Sequence, residues 1–127
     1  MNIPLKKFLP GIAWFFVILV LICIPGSDLP KNDFLSRIYF DKWVHVGVFG
    51  LLVFLFCYPF KNSSVLTATR KNYFLAIALF GGVYGLITEL IQKFFIPGRS
   101  FDMWDIAADC MGAVLALLYC GKKFLNK

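Results

Sequence analysis

The chain has 127 residues, enough for a single domain over 1–127; 60% of it is hydrophobic, 16% charged, and its formal net charge is +6. Ordinary soluble domains are ~45–50% apolar and ~25% charged, and a chain this short has too little interior to hide so much apolar surface from water. Together with a mean hydropathy of +0.77, the composition excludes a disordered chain, a secreted disulfide scaffold and a large soluble enzyme, and points to the bilayer as solvent.

Four apolar stretches follow one another. The first, Phe8–Pro25, carries no charge, and the second, Trp43–Phe60, carries only His45. The third, Tyr73–Ile96, is uncharged as far as Thr88 and then turns polar at Glu89, Gln92 and Lys93. The fourth, about Trp104 to Gly121, is interrupted by Asp105 and Asp109. A spanning helix needs ~20 mostly apolar residues, and all four qualify. None alternates with period two, which argues against a membrane barrel. A helix satisfies its own backbone hydrogen bonds in lipid, so the expected fold is all-α, an integral membrane four-helix bundle.

The links are Gly26–Lys42, Lys61–Asn72 and Pro97–Met103, with Pro25, Pro30, Pro59 and Pro97 punctuating the segment ends. The first link contains Leu29, Phe34, Leu35, Ile38, Tyr39 and Phe40, a pattern that predicts a short interfacial helix between helices one and two. A signal-peptide reading of the first stretch fails for want of a small–x–small cleavage site in IPGSDLP. A lipid anchor on Cys23 is disfavoured by the bulky Ile22 before it.

Charge sets the orientation. With four crossings and a cytoplasmic N-terminus, one side holds Lys6, Lys7, Lys61, Arg70, Lys71, Lys122, Lys123 and Lys127 with no acid. The other holds Lys31, Arg37, Lys42, Lys93 and Arg99 with all seven acids, so that the net charges are +8 and −2. The positive-inside rule then places both termini in the cytoplasm. The basic residues are divided among three cytoplasmic segments, which argues against a nucleic-acid surface. Cys23, Cys57, Cys110 and Cys120 lie in or at the ends of apolar stretches, where cysteine serves as a small hydrophobe.

Ionisable side chains inside spans are costly and mark sites. Asp41, Lys42 and His45 open the second span, with Asp41 and His45 four apart on one face. Glu89 and Gln92 share a face near the end of the third. Asp102, Asp105 and Asp109 step by three and four along the start of the fourth, and Gly112 continues their face. All three stripes fall at the outer leaflet and should face one another. Asp102 also suits a helix N-cap, and Lys93 a snorkelling position. Gly81, Gly82 and Gly85, and the row Ala108, Gly112 and Ala116, suit close helix packing.

The ordered set of D-K-x-x-H (Asp41, Lys42, His45), E-x-x-Q (Glu89, Gln92), P-G-R-S-F-D (Pro97 to Asp102) and D-x3-D-x2-G (Asp105, Asp109, Gly112) resembles the VanZ-like family of small bacterial membrane proteins. The resemblance runs from Asp41 to about Leu118 and departs at Asp109, where the family commonly has asparagine. It implies a protein of the bacterial cell envelope in the cytoplasmic membrane, with a link to resistance against the glycopeptide teicoplanin.

Three uses of the polar cluster stay open. In a binding site for a lipid-linked or cell-wall head group, Arg99 and Lys42 pair with phosphate or carboxylate, Asp105 and Glu89 orient those cations, and Asp41, Gln92 and Asp102 complete the pocket. In a hydrolase or transferase, His45, Glu89 and Asp105 do the chemistry. Asp102, Asp105, Asp109 and Glu89 then offer oxygens to Mg²⁺ or another hard cation, and Ser100 is a nucleophile by proximity only. In a structural lock, the cluster fixes helix register.

Overall fold

A computed structural model describes residues 3–23, 40–61, 63–98 and 101–125. A 3-10 turn, Leu5–Phe8, leads into α1, Leu9–Ile22. Pro10 falls in the first turn of α1, where its missing N–H costs nothing. Helix α2, Phe40–Cys57, tightens into a 3-10 turn at Tyr58–Phe60. Helices α3, Thr67–Phe95, and α4, Met103–Cys120, follow, and α4 widens into a π turn at Gly121–Leu125. Strands are absent among the described residues. The expected interfacial helix lies outside them, except that Phe40 opens α2.

All four helices are long and apolar enough to cross a membrane, as the hydropathy predicts. Helix α3 begins at Thr67, six residues before the apolar stretch does, and its 29 residues amount to ~43 Å at 1.5 Å each. A bilayer core of about 30 Å is shorter, so the polar first turns of α3 stand in the interface. Hydropathy registers only the apolar part of such a helix.

The outward faces are apolar, with Phe16, Val20, Leu79 and Leu118 all more than half exposed, as suits side chains that meet lipid. The interior holds two clusters. Ile18, Ile22, Phe49, Leu52 and Tyr84 fill the half that joins α1 to the bundle. Val53, Cys57, Phe60, Phe74, Ala113, Ala116, Cys120 and Phe124 fill the other.

Lipid tails are as apolar as leucine, so helices associate in a membrane by close packing and interhelical hydrogen bonds. Both are present. Helices α2 and α4 cross where Gly50 meets Gly112: a Cβ on Gly112 would overlap Val46 O and stand 2.9 Å from Gly50 N. A Cβ on Gly81 would stand 2.9 Å from Val53 Cγ2, bringing α3 against α2. Helix α1 is tied on by Trp14 Nε1, which donates to Val48 O at 2.9 Å, and by Tyr84 Oη, which donates to Phe15 O at 2.8 Å. Gln92 Nε2 reaches Ile22 O at 3.4 Å.

At one end of the bundle, Arg70 is buried and donates from Nη1 to Phe60 O at 3.2 Å and to Phe124 O at 3.0 Å. A cation suits the carbonyls that end two helical segments, and at Phe60 O it adds to the bonds from Ser63 N at 3.3 Å and Ser63 Oγ at 3.0 Å. At the other end, α2 begins, α3 finishes and α4 begins.

Candidate functional site

That second end gathers the polar residues. Asp102 caps α4: its Oδ1 accepts from Trp104 N at 2.8 Å, and its backbone is extended as an N-cap requires. Gly98, with φ at 74°, supplies the left-handed residue of the turn between α3 and α4. The turn also fastens the site, because the Asp102 N–H donates to Glu89 Oε2 at 3.2 Å.

Lys42 bridges α2 to α4. Its Nζ is 2.7 Å from Asp102 Oδ2 and 2.6 Å from Asp105 Oδ1. The ammonium holds the Asp102 carboxyl below the usual carboxylate range, with the bond from Trp104 N acting in the same direction. A depressed carboxylate stabilises the fold above its unfolded pKa of ~3.9, and that stability is lost as the pH falls through the lower folded value. Asp102→Ala is expected to cost about 1 kcal/mol through the lost cap. Asp102→Asn should keep the cap and lose the acid sensitivity. Melting temperatures of the detergent-solubilised protein, taken from neutral pH downward, check both; an Asp102→Asn protein with the wild-type acid profile would refute the Lys42 pairing.

One turn further along α2, His45 Nδ1 lies 2.7 Å from Asp109 Oδ1. Asp109 is fully buried, whereas the His45 side chain keeps 18% exposure. With the carboxylate as acceptor, the proton sits on Nδ1 and Nε2 presents a lone pair. Nε2 is 3.6 Å from Asp105 Oδ2. His45, Glu89 and Asp105 each offer a ligand atom, and these atoms lie within 4.8 Å of one another. Carboxylates this close repel unless a shared proton or a cation lies between them. One imidazole nitrogen and two carboxylate oxygens are a donor set that could hold a divalent cation, and the buried Asp109 stands where a carboxylate would orient such a histidine.

Glu89 is itself fully buried. The Asp109 carboxyl packs on Gly85, where a Cβ would stand 2.7 Å from Oδ2, and Oδ2 has no hydrogen-bond partner.

The structure therefore brings together His45, Glu89 and Asp105. Asp102 and Asp109, expected beside Glu89 and Asp105 as oxygen ligands, are engaged by Lys42 and by His45. Gln92 is buried against α1. Lys93 sits over the Phe94 and Phe101 rings, at 5.2 and 5.7 Å from their centroids. Asp41 belongs to α2, but its side chain, like Arg99 and Ser100, lies outside the described residues.

Sequence reasoning missed the apolar groove beside the cluster. It has a volume of about 550 Å³ and is lined by Lys42, Trp43 and Val46 of α2 and Trp104, Ala107 and Met111 of α4, among others. Trp43 and Trp104, both mostly exposed, each stand at the start of a span. Their signal was legible as an aromatic belt.

Fold and site define a small membrane protein with an ionisable cluster built from three helices at one end of the bundle. The chain belongs to the VanZ/LLP1 family, whose model matches residues 12–124. It is 33% identical over 111 residues to "Uncharacterized protein C11E3.10" of fission yeast, Schizosaccharomyces pombe. The match takes in 84% of this chain and 60% of the yeast protein, so the chain spans about three fifths of that relative's length. No solved structure matches.

Proposed function

We propose that this chain is a multi-pass protein of the bacterial cytoplasmic membrane, with both termini in the cytoplasm. In this reading its outward-facing cluster binds the head group of a lipid or lipid-linked cell-wall precursor. A divalent cation such as Mg²⁺, held by His45 Nε2, Glu89 and Asp105, makes the contact. The observation that carries the reading is the convergence of those three ligand atoms within 4.8 Å, behind a histidine already oriented by a buried aspartate. The asymmetry of basic residues between the two sides supports the outward orientation. Where the head group belongs to a cell-wall precursor, the same site accounts for a contribution to teicoplanin-type resistance.

The His45–Asp109 pair favours a second reading, catalysis at this place. An imidazole with its proton fixed on Nδ1 can accept one at Nε2 from a water attacking a head-group ester and return it to the alcohol that departs as the ester bond breaks, with Glu89 and Asp105 as the residues that would hold a cation.

The test replaces His45→Ala, Glu89→Gln and Asp105→Asn one at a time. Glu89→Gln and Asp105→Asn should reach the membrane at wild-type abundance, and His45→Ala, which strips the buried Asp109 of its partner, at a lower one. Each should lose divalent metal by more than the ~10–100-fold typical of removing an outer-shell partner, as read by metal analysis of purified protein. The teicoplanin susceptibility difference between expressing and non-expressing cells should vanish with it. Wild-type metal content in all three variants ends the cation reading, and unchanged susceptibility in all three ends the resistance role.

A further inference from the structure

The end of the bundle opposite the triad holds a buried cation that no acid among the described residues answers. We propose that this end binds the phosphate of an anionic phospholipid, in the leaflet it faces, at a basic rim built around Arg70.

Arg70 keeps only 8% exposure. Its hydrogen bonds go to neutral acceptors: Nη1 to Phe60 O and Phe124 O, and Nη2 to Thr67 Oγ1 at 3.3 Å. Nε has no hydrogen-bond partner. A charge taken out of water is costly unless an opposite charge stands near it. Among the described residues none does, because Asp41, Glu89, Asp102, Asp105 and Asp109 all belong to the other end. Carbonyl dipoles lessen the cost but leave the net charge in place.

The contacts of Arg70 gather more cations. Lys61 follows Phe60, Lys123 precedes Phe124, and Lys71 follows Arg70 itself. Each therefore stands one residue from the guanidinium or from a carbonyl that it holds. Phe8 packs on Phe60 with ring centroids 5.9 Å apart, which brings Lys6 and Lys7 of the first turn to the same end. None of these lysines is ion-paired among the described residues. Exposed lysines alone would be explained by topology. Arg70 is different, since mobile counterions cannot approach a buried guanidinium as they do a solvated ammonium. A phosphate fixed at the rim attracts it through protein, where the interaction is screened less than through salt solution.

The depth selects a lipid. Exposed Tyr58 and Tyr73 set an aromatic belt at this end. The polar first turns of α3, which carry Arg70 and Lys71, stand beyond the hydrocarbon core. Phosphates of the bilayer occupy that layer, and an anionic lipid brings the net charge that a zwitterionic one lacks. Juxtamembrane cations attract such lipids by about fivefold each.

Purified full-length protein is offered equal amounts of phosphatidylglycerol and phosphatidylcholine with the same chains, and retained lipid is read by native mass spectrometry. Wild-type protein should prefer phosphatidylglycerol roughly a hundredfold, with about fivefold from each of Lys61, Lys71 and Lys123. Lys61→Gln, Lys71→Gln and Lys123→Gln should each remove that share. Lys93→Gln, the same charge change among the acids of the opposite end, should leave the preference intact. Raising salt from about 0.1 to about 1 M shortens the screening length from ~10 to ~3 Å and should abolish most of it. In vesicles, the melting temperature of wild type should rise with the fraction of phosphatidylglycerol, because the lipid binds the folded form. Arg70→Gln, without the buried charge, should show a smaller rise. Equal retention of the two lipids by wild type overturns the proposal, as does a preference that all three rim variants keep in full. Loss of the preference to millimolar inorganic phosphate makes the ligand a free anion and overturns it as well. The lipid comparison and its salt dependence need only wild-type protein, so they decide the matter even if Arg70→Gln fails to fold. None of these readings depends on metal or head group at the triad, so the two ends of the bundle are tested separately.

Discussion

Gly112→Ala is expected to strip the membrane of folded protein. The added Cβ would overlap Val46 O, with Gly50 N at 2.9 Å and Val46 C at 3.0 Å. These neighbours are backbone atoms of α2, so no side-chain rotation relieves the contact and the two helices must separate. Overfilling costs typically 1–3 kcal/mol, and here the separation also lengthens every polar link between the helices. Lys42 to Asp105 and His45 to Asp109 are 2.6 and 2.7 Å only while the crossing is closed. Gly47→Ala is the matched control, because nothing lies within 4 Å of a Cβ there. It exchanges glycine for a better helix former in α2, the helix against which Gly112 packs. Membrane abundance and the melting temperature in detergent should fall for Gly112→Ala and hold or rise for Gly47→Ala. Equal stability of the two variants would show that the α2–α4 crossing is looser than described.

The difference between these glycines explains what sequence could reveal. Runs of apolar residues announce the four helices, because the bilayer imposes length and composition directly. Spacing of three and four put Asp102, Asp105 and Asp109 on one face of α4, because helical geometry is local. The partner of a polar residue is a different matter. Spacing puts His45 on one face with Asp41, whose side chain lies outside the described residues, and it does not point to the partner the structure gives, Asp109, 64 residues away. That choice depends on how α2 and α4 are rotated about their axes, and Gly50 and Gly112 fix the rotation. Gly112 could be seen as part of a small-residue row on the aspartate face, but nothing in the sequence shows that it alone meets backbone, while a Cβ on Gly82 would make ordinary contact with Cys110 Sγ at 3.5 Å. Arg70 was legible only as one more basic residue. Its use as a clamp on Phe60 O and Phe124 O depends on two chain ends meeting, which no local pattern encodes. The groove was hidden for the same reason, since it exists only between two helices.

Asp109 carries the sharpest test of how the site is oriented, because its two oxygens have different surroundings. Oδ1 accepts from His45 Nδ1, and Oδ2 lies against Gly85 without a partner. Asp109→Asn should preserve the bond to His45, since an amide oxygen also accepts. It places an amide nitrogen where Oδ2 stood, exchanging one unpartnered buried atom for another, so abundance should stay near wild type. If the triad holds a cation as proposed, metal affinity should nevertheless fall ~10–100-fold, because the amide no longer raises the basicity of the imidazole as a carboxylate does. Asp109→Ala removes the acceptor altogether and leaves a buried N–H unpaired, at a cost of about 1–3 kcal/mol. The ring is then free to turn, and metal should be lost beyond the level of Asp109→Asn together with part of the stability. Gly85→Ala reaches the same end from the opposite side, since its Cβ would press on the Asp109 carboxyl from α3 and displace it from His45. The three variants should rank Asn, Gly85→Ala, Ala in increasing loss of bound metal. An Asp109→Ala protein that binds metal as wild type does would mean that His45 needs no orienting carboxylate, and the triad would then have to work through Glu89 and Asp105 alone.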